Sequence, residues 1–463
     1  MIDLVIIVVY LVAVTVVGIV SRRQARGLDD FFVAGRKGSP LFITGSLVAT
    51  IIGGSATVGM AGLGFSRGLT GAWWLLVGTI GLVFLGFFLA KKVRNFGLYT
   101  LPQLAGKQYD GRIALAASIL IVVAWVGVVA GQIIAAGKIL SVLGMGSPLL
   151  WMVITTIVFI TYTVLGGQHA VIRTDVLQAG VIFVGIFTGL ALVMSRLGGI
   201  GGLESLLPAD RFAFPVSDQF SGLDLVKLML LVGLTYVVGP DMYSRLFCAR
   251  DGKTARSSAL WAALILIPFA LGITFIGMGA SALLPNISPE QAFPAIVKEV
   301  LPPVASGLVL AALLCAVMSS ADTTLLSAST ILVVNIVGRF KPQLGQERVL
   351  ALSRWAIVSF GLLALALALV LKGVINALLF AYTIYTAGLI LPVLAGFYRE
   401  KLKVTSEGAL AAIIGGGSVG LISKILNIKH LDLGALGVSL FLLFLVSFIG
   451  RKIKARNSIQ EKT

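Results

Sequence analysis

GSLVATIIGGSATVG, residues 45–59, is the stretch that decides the fold of this 463-residue chain. It is part of an apolar run, but the pair Gly53-Gly54 and several small hydroxyl residues interrupt it near its middle. A helix in lipid tolerates irregular backbone only where it is buried in protein or lines a cavity, because an unpaired amide in hydrocarbon is costly. The stretch therefore predicts a membrane helix that is interrupted beside a cavity. Close helix packing at the glycines is the alternative.

A second interruption is predicted in GLTYVVGPDMY, residues 233–243. Pro240 removes a backbone donor from the helix, and Asp241 follows it directly. The two stretches lie five apolar segments apart, in the second and the seventh. Interrupted helices at matching positions of two five-helix units with opposite orientations indicate an inverted repeat, with the binding site between its halves.

The composition excludes a soluble protein. Mean hydropathy is +1.03 and only 12% of residues are charged, against about one quarter in soluble domains. The net charge of +17 does not indicate a nucleic-acid partner, because the basic residues lie in short connectors and form no patch with interleaved aromatics. Two cysteines inside apolar runs exclude a disulfide scaffold. The histidines, His169 and His430, lie in different connectors, so we expect no enzyme.

Thirteen apolar segments have about the length that a membrane-spanning helix needs. They begin near residues 4, 39, 72, 114, 148, 175, 223, 258, 303, 353, 375, 407 and 433. The segments leave no room for a soluble domain, so residues 1–463 are predicted to form a single transmembrane transporter domain.

The basic residues predict the orientation, because Lys and Arg resist translocation and accumulate in cytoplasmic loops. Alternate connectors hold 27 of the 36 basic residues. These connectors are 21–38, 91–112, 166–173, 245–256, 339–354, 399–403 and the tail from 451. We therefore expect a multi-pass protein of the plasma (inner) membrane, with its N-terminus outside and its C-terminus in the cytoplasm.

The ninth segment, ALLCAVMSSADTTLLSAST at residues 312–330, predicts a cation site. Ala316, Ser319 and Ser320 share one helix face. Two hydroxyls and a carbonyl on that face, opposite carbonyls freed at the first interruption, would form a neutral oxygen cage for a hard monovalent cation. Serines that only bond their own i−4 carbonyls are the alternative.

Three acids, Asp175, Asp241 and Asp322, fall within apolar segments, where a charge is costly and indicates function. For Asp175 a helix cap or a pair with Arg173 is the structural alternative. For Asp241 the alternative is a pair with Arg245, one turn further on.

Several motifs in order along the chain resemble the sodium:solute symporter family. They are DFFVAGR at 30–36, the Gly166-Gly167 pair through TDVLQ at 174–178, and AVMSSAD at 316–322. The resemblance implies an all-α integral membrane protein with 13 transmembrane helices. Its fold would be a LeuT-type 5+5 inverted repeat with one extra N-terminal and two extra C-terminal helices. Residues 1–38 would form the leading helix and inner loop, 39–196 the first repeat, 223–398 the second, and 405–463 the last two helices and tail.

The resemblance also implies the sodium site and the ion's release path. Asp175 would lie on that path. The Na⁺ ligands would be the carbonyls of Ala49, Ile52 and Ala316 and the hydroxyls of Ser319 and Ser320.

The solute cavity should be lined by the two interruptions and by the fourth and eleventh segments. The candidate contacts are Ser55, Thr57, Trp125, Gln132, Tyr236, Asp241, Tyr382 and Tyr385. The ninth segment and Gly53-Gly54 are most similar to the choline-transporter branch, yet Ile51 and Gly239 replace two tryptophans of that branch. Choline is therefore not the expected solute. Nor is a sugar, because the run 53–56 lacks the polar side chains of the sugar branch.

The sequence predicts a sodium-coupled symporter that imports a small organic solute by alternating access. An amino acid, an amine or a carboxylate fits the candidate cavity, and no obligate protein partner is indicated. A proton-coupled or uncoupled carrier on the same fold is one alternative, with Asp175 or Asp241 as the proton site. A symporter-like membrane sensor is a more distant one, because the tail from Arg451 is short.

Overall fold

The computed structural model describes residues 2–21, 28–371, 373–426, 428 and 431–460. Residues 22–27, which carry three of the basic residues counted above, lie outside the described residues, as do His430 and the side chain of His169. The described backbone is helical, with short loops between helices.

The first part of the chain builds the leading helix and the segments of the first repeat. Its helices are α1 (Ile2–Ser21), α2 (Leu28–Val33), α3 (Pro40–Ile51), α4 (Met60–Arg67), α5 (Trp73–Phe84), α6 (Ala90–Asn95), α7 (Leu101–Gln108), α8 (Gly111–Ser141), α9 (Pro148–Leu197) and α10 (Gly199–Leu206). A π-helical turn, Ser55–Gly59, precedes α4, and a second one, Leu85–Leu89, joins α5 to α6.

The rest of the chain continues the same all-helical architecture. Its helices are α11 (Gly222–Leu228), α12 (Leu234–Val237), α13 (Pro240–Cys248), α14 (Gly252–Leu283), α15 (Ala292–Val300), α16 (Pro303–Thr330), α17 (Gly338–Phe340), α18 (Gln346–Leu371), α19 (Val374–Tyr385), α20 (Leu391–Gly396), α21 (Arg399–Leu402), α22 (Ser406–Ile425) and α23 (Leu431–Gln460).

Local sequence explains where several long helices begin and bend. α3, α9 and α16 each start at a proline, whose missing N–H is no loss in the first turn. α8 starts after Asp110, whose carboxylate accepts the free amides of Arg112 and Ile113. α9 bends at Gly167, where φ is 58° and a Cβ would lie 2.7 Å from the ring of Phe31.

Ten helical stretches in the described part of the chain are long and apolar enough to cross a membrane. Three shorter apolar helices accompany them: Ile2–Ala13, Pro40–Ile51 and Pro148–Thr161. Every predicted segment contains helical backbone. The number thirteen stays a prediction, because three of the segments are short by the length criterion.

α16 lies at the centre of the molecule. It packs against α1, α8, α9 and α18 and also contacts α3 and α13, and 83% of its apolar window is buried. At the periphery, large apolar side chains such as Phe87 and Trp355 are exposed, as expected where helices face lipid. The central helix thus contacts α3 and α13, one half of each interrupted segment.

Candidate ion and solute site

The first interruption lies at residues 52–54. Ile52 ends α3 with ψ at 69°, and the amide of Gly54 donates 2.8 Å to Oε1 of Gln132 on α8. The chain then resumes helical backbone at Ser55. A Cβ on Gly53 would lie 2.3 Å from Oγ of Ser320, so only glycine allows this approach to α16.

The second interruption lies at Val238 and Gly239, between α12 and α13. Their φ/ψ values are −131°/85° and −130°/134°, both outside the helical region. Tyr385 on α19 donates its hydroxyl to the carbonyl of Val238 at 2.5 Å. A neighbouring helix thus supplies a hydrogen bond to a carbonyl that the break left unpaired. Both interruptions expected from the sequence are present.

Two serines of α16 meet the carbonyl end of α3. Oγ of Ser319 lies 2.8 Å from the carbonyl oxygen of Ala49 and 3.0 Å from that of Ala316. Oγ of Ser320 donates 2.6 Å to the carbonyl of Thr50. Unwound carbonyls and the C-terminal ends of half-helices are the groups that hold Na⁺ in transporters of this architecture. We call this group of atoms the oxygen cluster.

The predicted sodium ligands all lie at the junction of α3 and α16, and all are buried. Ala49, Ala316 and Ser319 are joined by hydrogen bonds, whereas Ile52 lies at the break itself. Thr50 also belongs to the cluster, and the sequence interpretation omitted it. Thr50 could have been predicted, because it follows Ala49, a predicted ligand, in the last turn of α3.

A cavity of about 40 Å³ lies between the two interruptions, which is room for only a few water molecules in this conformation. Six predicted solute contacts line it: Ser55, Trp125, Gln132, Tyr236, Asp241 and Tyr382. Nine further residues, which the sequence interpretation did not name as solute contacts, also line it: Thr50, Ile51, Gly53, Val128, Thr235, Met242, Ser320, Thr324 and Leu378.

Two predicted contacts, Thr57 and Tyr385, are not among the lining residues. The hydroxyl of Thr57 turns back to the carbonyl of Gly53, 2.9 Å away. Tyr385 bonds Val238 and places its ring edge-on to Trp125, with centroids 4.8 Å apart. Both side chains therefore support the cavity wall from behind.

Several polar groups on the cavity wall are available to a solute. The hydroxyls of Ser55, Tyr236 and Tyr382 and the amide nitrogen of Gln132 donate no hydrogen bond within the described residues. Asp241 accepts Nε1–H of Trp125 at 2.9 Å. The expected alternative, a pair between Asp241 and Arg245, is not formed, because Arg245 bonds Asp175 instead.

Asp175 is fully buried between α3, α9 and α13. Its Oδ2 accepts from Nη2 of Arg245 at 3.0 Å and from Oγ of Ser46 at 2.5 Å. It therefore forms neither of the structural alternatives, the helix cap or the pair with the exposed Arg173. Asp322, the third buried acid, accepts the amide of Thr323 at 2.5 Å.

Known proteins share this sequence pattern and this fold. The sequence model of the sodium:solute symporter family matches residues 31–416. The sodium/pantothenate symporter of Escherichia coli (strain K12) is 25% identical over 468 residues, covering 96% of this chain and 95% of that one.

Two solved structures have a similar fold. A Na⁺-coupled sialic acid symporter in a substrate-bound outward-open state gives a TM-score of 0.79 at 17% identity, covering 97% of this chain and 98% of that one. Mhp1, a nucleobase-cation symporter in a closed conformation with bromovinylhydantoin bound, gives 0.64 at 14% identity, covering 92% and 95%.

These matches confirm the resemblance seen in the motifs, and they support Na⁺ as the co-transported ion of a multi-pass membrane protein. The match spans both interruptions, the oxygen cluster and the cavity. The chain belongs to the sodium:solute symporter family.

Proposed function

We propose that this protein is a symporter that uses Na⁺ entry to import a small organic solute with a cationic nitrogen, by alternating access. One observation carries the proposal. Thr50 and Ser320 belong to the oxygen cluster and also line the cavity. An ion in the cluster and a solute in the cavity would therefore contact the same two residues.

Coupling follows from this shared wall. Na⁺ bound by Ala49, Ile52, Ala316, Ser319 and Ser320 would hold the end of α3 against α16 and fix the position of Thr50. A solute that contacts Thr50 and Ser320 would bind more tightly once the ion has fixed their positions. By linkage, the solute then raises the affinity for Na⁺ by the same factor.

The polar groups of the cavity favour an amino acid as the solute. Asp241 supplies a carboxylate for an ammonium group, and the aromatic rings of Trp125, Tyr236 and Tyr382, which also line the cavity, suit a cation as well. Ser55 begins the outer half of an interrupted helix, where N–H groups and the helix dipole favour an anionic group. A carboxylate at Ser55 and an ammonium at Asp241 would use both charged groups of an amino acid.

The architecture within this proposal has thirteen spans, with residues 39–196 and 223–398 as inverted repeats. The N-terminus lies outside and the C-terminus lies in the cytoplasm of the plasma (inner) membrane. Rocking of one helix bundle against the rest would open the cavity to each side in turn. Asp175 lies toward the proposed cytoplasmic side of the oxygen cluster, on the ion's way out.

A ligand panel tests the proposal. We expect NaCl to raise the melting temperature of the purified protein above that in KCl of equal ionic strength, and amino acids or amines to add a further shift only in NaCl. In the double variant Ser319→Ala and Ser320→Ala the Na⁺-dependent part disappears. Ser329→Ala is the matched control, because its hydroxyl donates to the carbonyl of Leu326 in its own helix, α16.

A transport assay then tests whether solute uptake is coupled to Na⁺ entry. In reconstituted vesicles, uptake of the solute found by the panel should follow an inward Na⁺ gradient. If uptake is indifferent to that gradient and the double serine variant behaves like wild type, the protein is not sodium-coupled through this cluster.

Asp241→Asn tests the class of solute. A hydrogen bond to a charged group contributes about 1.5–3 kcal/mol, so loss of the carboxylate should weaken solute binding by roughly tenfold to a hundredfold. Stabilisation by Na⁺ alone should remain. Glu204→Gln, an exposed acid far from the cavity, serves as the control. Unchanged solute affinity in Asp241→Asn would exclude a cationic group at this position.

A further inference from the structure

A buried ion pair joins four helices next to the oxygen cluster. Arg245 on α13 and Asp175 on α9 have no exposed surface, and Nη2 lies 3.0 Å from Oδ2. The pair lies on the side of the cluster that leads to the connectors 166–173 and 245–256, which is the proposed cytoplasmic side.

Hydrogen bonds tie this pair to both sides of the sodium site. Ser46 on α3 donates to Asp175 at 2.5 Å and accepts Nε–H of Arg245 at 3.0 Å. Arg245 also donates to Oγ1 of Thr323 on α16, and Thr323 donates 2.7 Å to the carbonyl of Ser319. The guanidinium is therefore two hydrogen bonds away from a predicted sodium ligand.

The ion pair neutralises the buried charge of Asp175. A buried carboxylate without a partner is strongly destabilising, so Asp175 requires a cation. Arg245 supplies one that is covalently attached to α13. Oδ1 of Asp175 is buried without a hydrogen-bond partner among the described residues. The carboxylate can therefore still receive another cation if the guanidinium leaves.

We propose that Arg245 is a tethered cation that closes the inner exit from the sodium site. Its guanidinium neutralises Asp175 in place of a mobile ion and fills the space between α3, α9 and α16. Na⁺ leaves the oxygen cluster only when α13 carries the guanidinium off the carboxylate, and one Na⁺ binds per protein. Arg245 is thus a positioning residue, and the inference rests on the proposed sodium site.

Two measurements on the full-length protein test this role. The slope of stability against the logarithm of NaCl concentration, at constant pH and ionic strength, counts the bound Na⁺ ions. The entry of radioactive Na⁺ into vesicles without solute measures the leak through the inner exit. We expect one ion and a low leak for wild type.

Three variants separate the charge of Arg245 from its shape. Arg245→Gln should bind two Na⁺ ions, since Asp175 then takes a mobile cation, and its leak should rise several-fold. Arg245→Lys keeps the charge but loses the fork of hydrogen bonds, so it should bind one ion with a raised leak. The double variant Asp175→Asn with Arg245→Gln needs no counter-cation and should bind one ion, again with a raised leak.

Arg245→Gln with one bound ion and a wild-type leak would overturn the proposal. If that variant does not fold, the neutral double variant decides, because a leak as low as in wild type would show that the pair closes nothing. A wild-type protein without any Na⁺-dependent stabilisation would instead refute the proposed sodium site. The two failures are therefore distinguishable.

Discussion

Gly53 is the residue on which the approach of α3 to α16 depends. A Cβ there would lie 2.3 Å from Oγ and 2.9 Å from Cβ of Ser320, so Gly53→Ala must displace the serine and pull its hydroxyl from Thr50. Loss of a buried hydrogen-bonding group costs about 1–3 kcal/mol. We expect roughly tenfold weaker Na⁺ binding or more, measured as the NaCl concentration at half-maximal stabilisation.

Gly180→Ala is the control for this substitution. Gly180 lies inside α9 with nothing within 4 Å of an added Cβ, so alanine there should be neutral or stabilising. If Gly53→Ala binds Na⁺ as well as Gly180→Ala does, the contact between Ser320 and Thr50 is not part of an ion site.

Single residues with a strong local signal could be predicted from the sequence. The glycine pair, the serine pair and Asp241 each violate what a plain lipid-facing helix tolerates, and that violation is visible in one segment. Their partners could not be predicted. Arg245 lies 70 residues from Asp175, and Trp125 lies 116 residues from Asp241, so tertiary packing alone decides these pairs.

At the scale of elements, the start of a helix can be predicted from the sequence when the capping residue directly precedes it. The start of α19 cannot, because a residue from another part of the chain caps it. The residue before it, Gly373, provides no side-chain cap. Oε1 of Glu290, in the connector 284–302, accepts the amides of Val374 at 2.9 Å and Ile375 at 3.4 Å. Glu290 also forms an ion pair with Lys138 on α8. Nothing in the sequence near α19 indicates this contact.

Glu290 should hold the proposed outer side closed, because it ties the connector to α8 and α19 beside a second cavity of about 420 Å³. We expect Glu290→Ala to raise, several-fold, the labelling of Val374→Cys, a buried position in the first turn of α19, by a membrane-impermeant maleimide. The buried Cys248 and Cys315 are replaced by alanine in this background.

Two further variants separate the contributions of Glu290. Glu290→Gln keeps an acceptor for the α19 amides but loses the charge that pairs with Lys138, so its labelling should fall between wild type and Glu290→Ala. Glu204→Ala, which changes an exposed acid on α10, should leave labelling unchanged. Equal labelling of all four proteins would mean that Glu290 does not keep the start of α19 closed.

At the scale of the whole molecule, the sequence predicted the fold class and the two helix interruptions. Apolar length and the cost of unpaired backbone in lipid predict an all-helical membrane protein with two broken helices. The number of spans is harder to predict. α3 is short because it ends at Ile52, and α9 consists of two helices, one for each predicted segment, that meet at Gly167, whose φ of 58° and ψ of −164° lie outside the helical region.

Orientation is the property of the whole molecule that remains to be tested. Because 27 of the 36 basic residues lie in alternate connectors or at the helix ends next to them, the positive-inside rule places α21 in the cytoplasm and α10 outside. In the cysteine-free background, an impermeant maleimide added to intact cells should label Ser205→Cys and not Lys401→Cys, both exposed positions. Permeabilised cells should show both labelled. The opposite pattern would place Arg245 on the outer side of the oxygen cluster, and the ion pair with Asp175 would then control the entry of Na⁺ and not its exit.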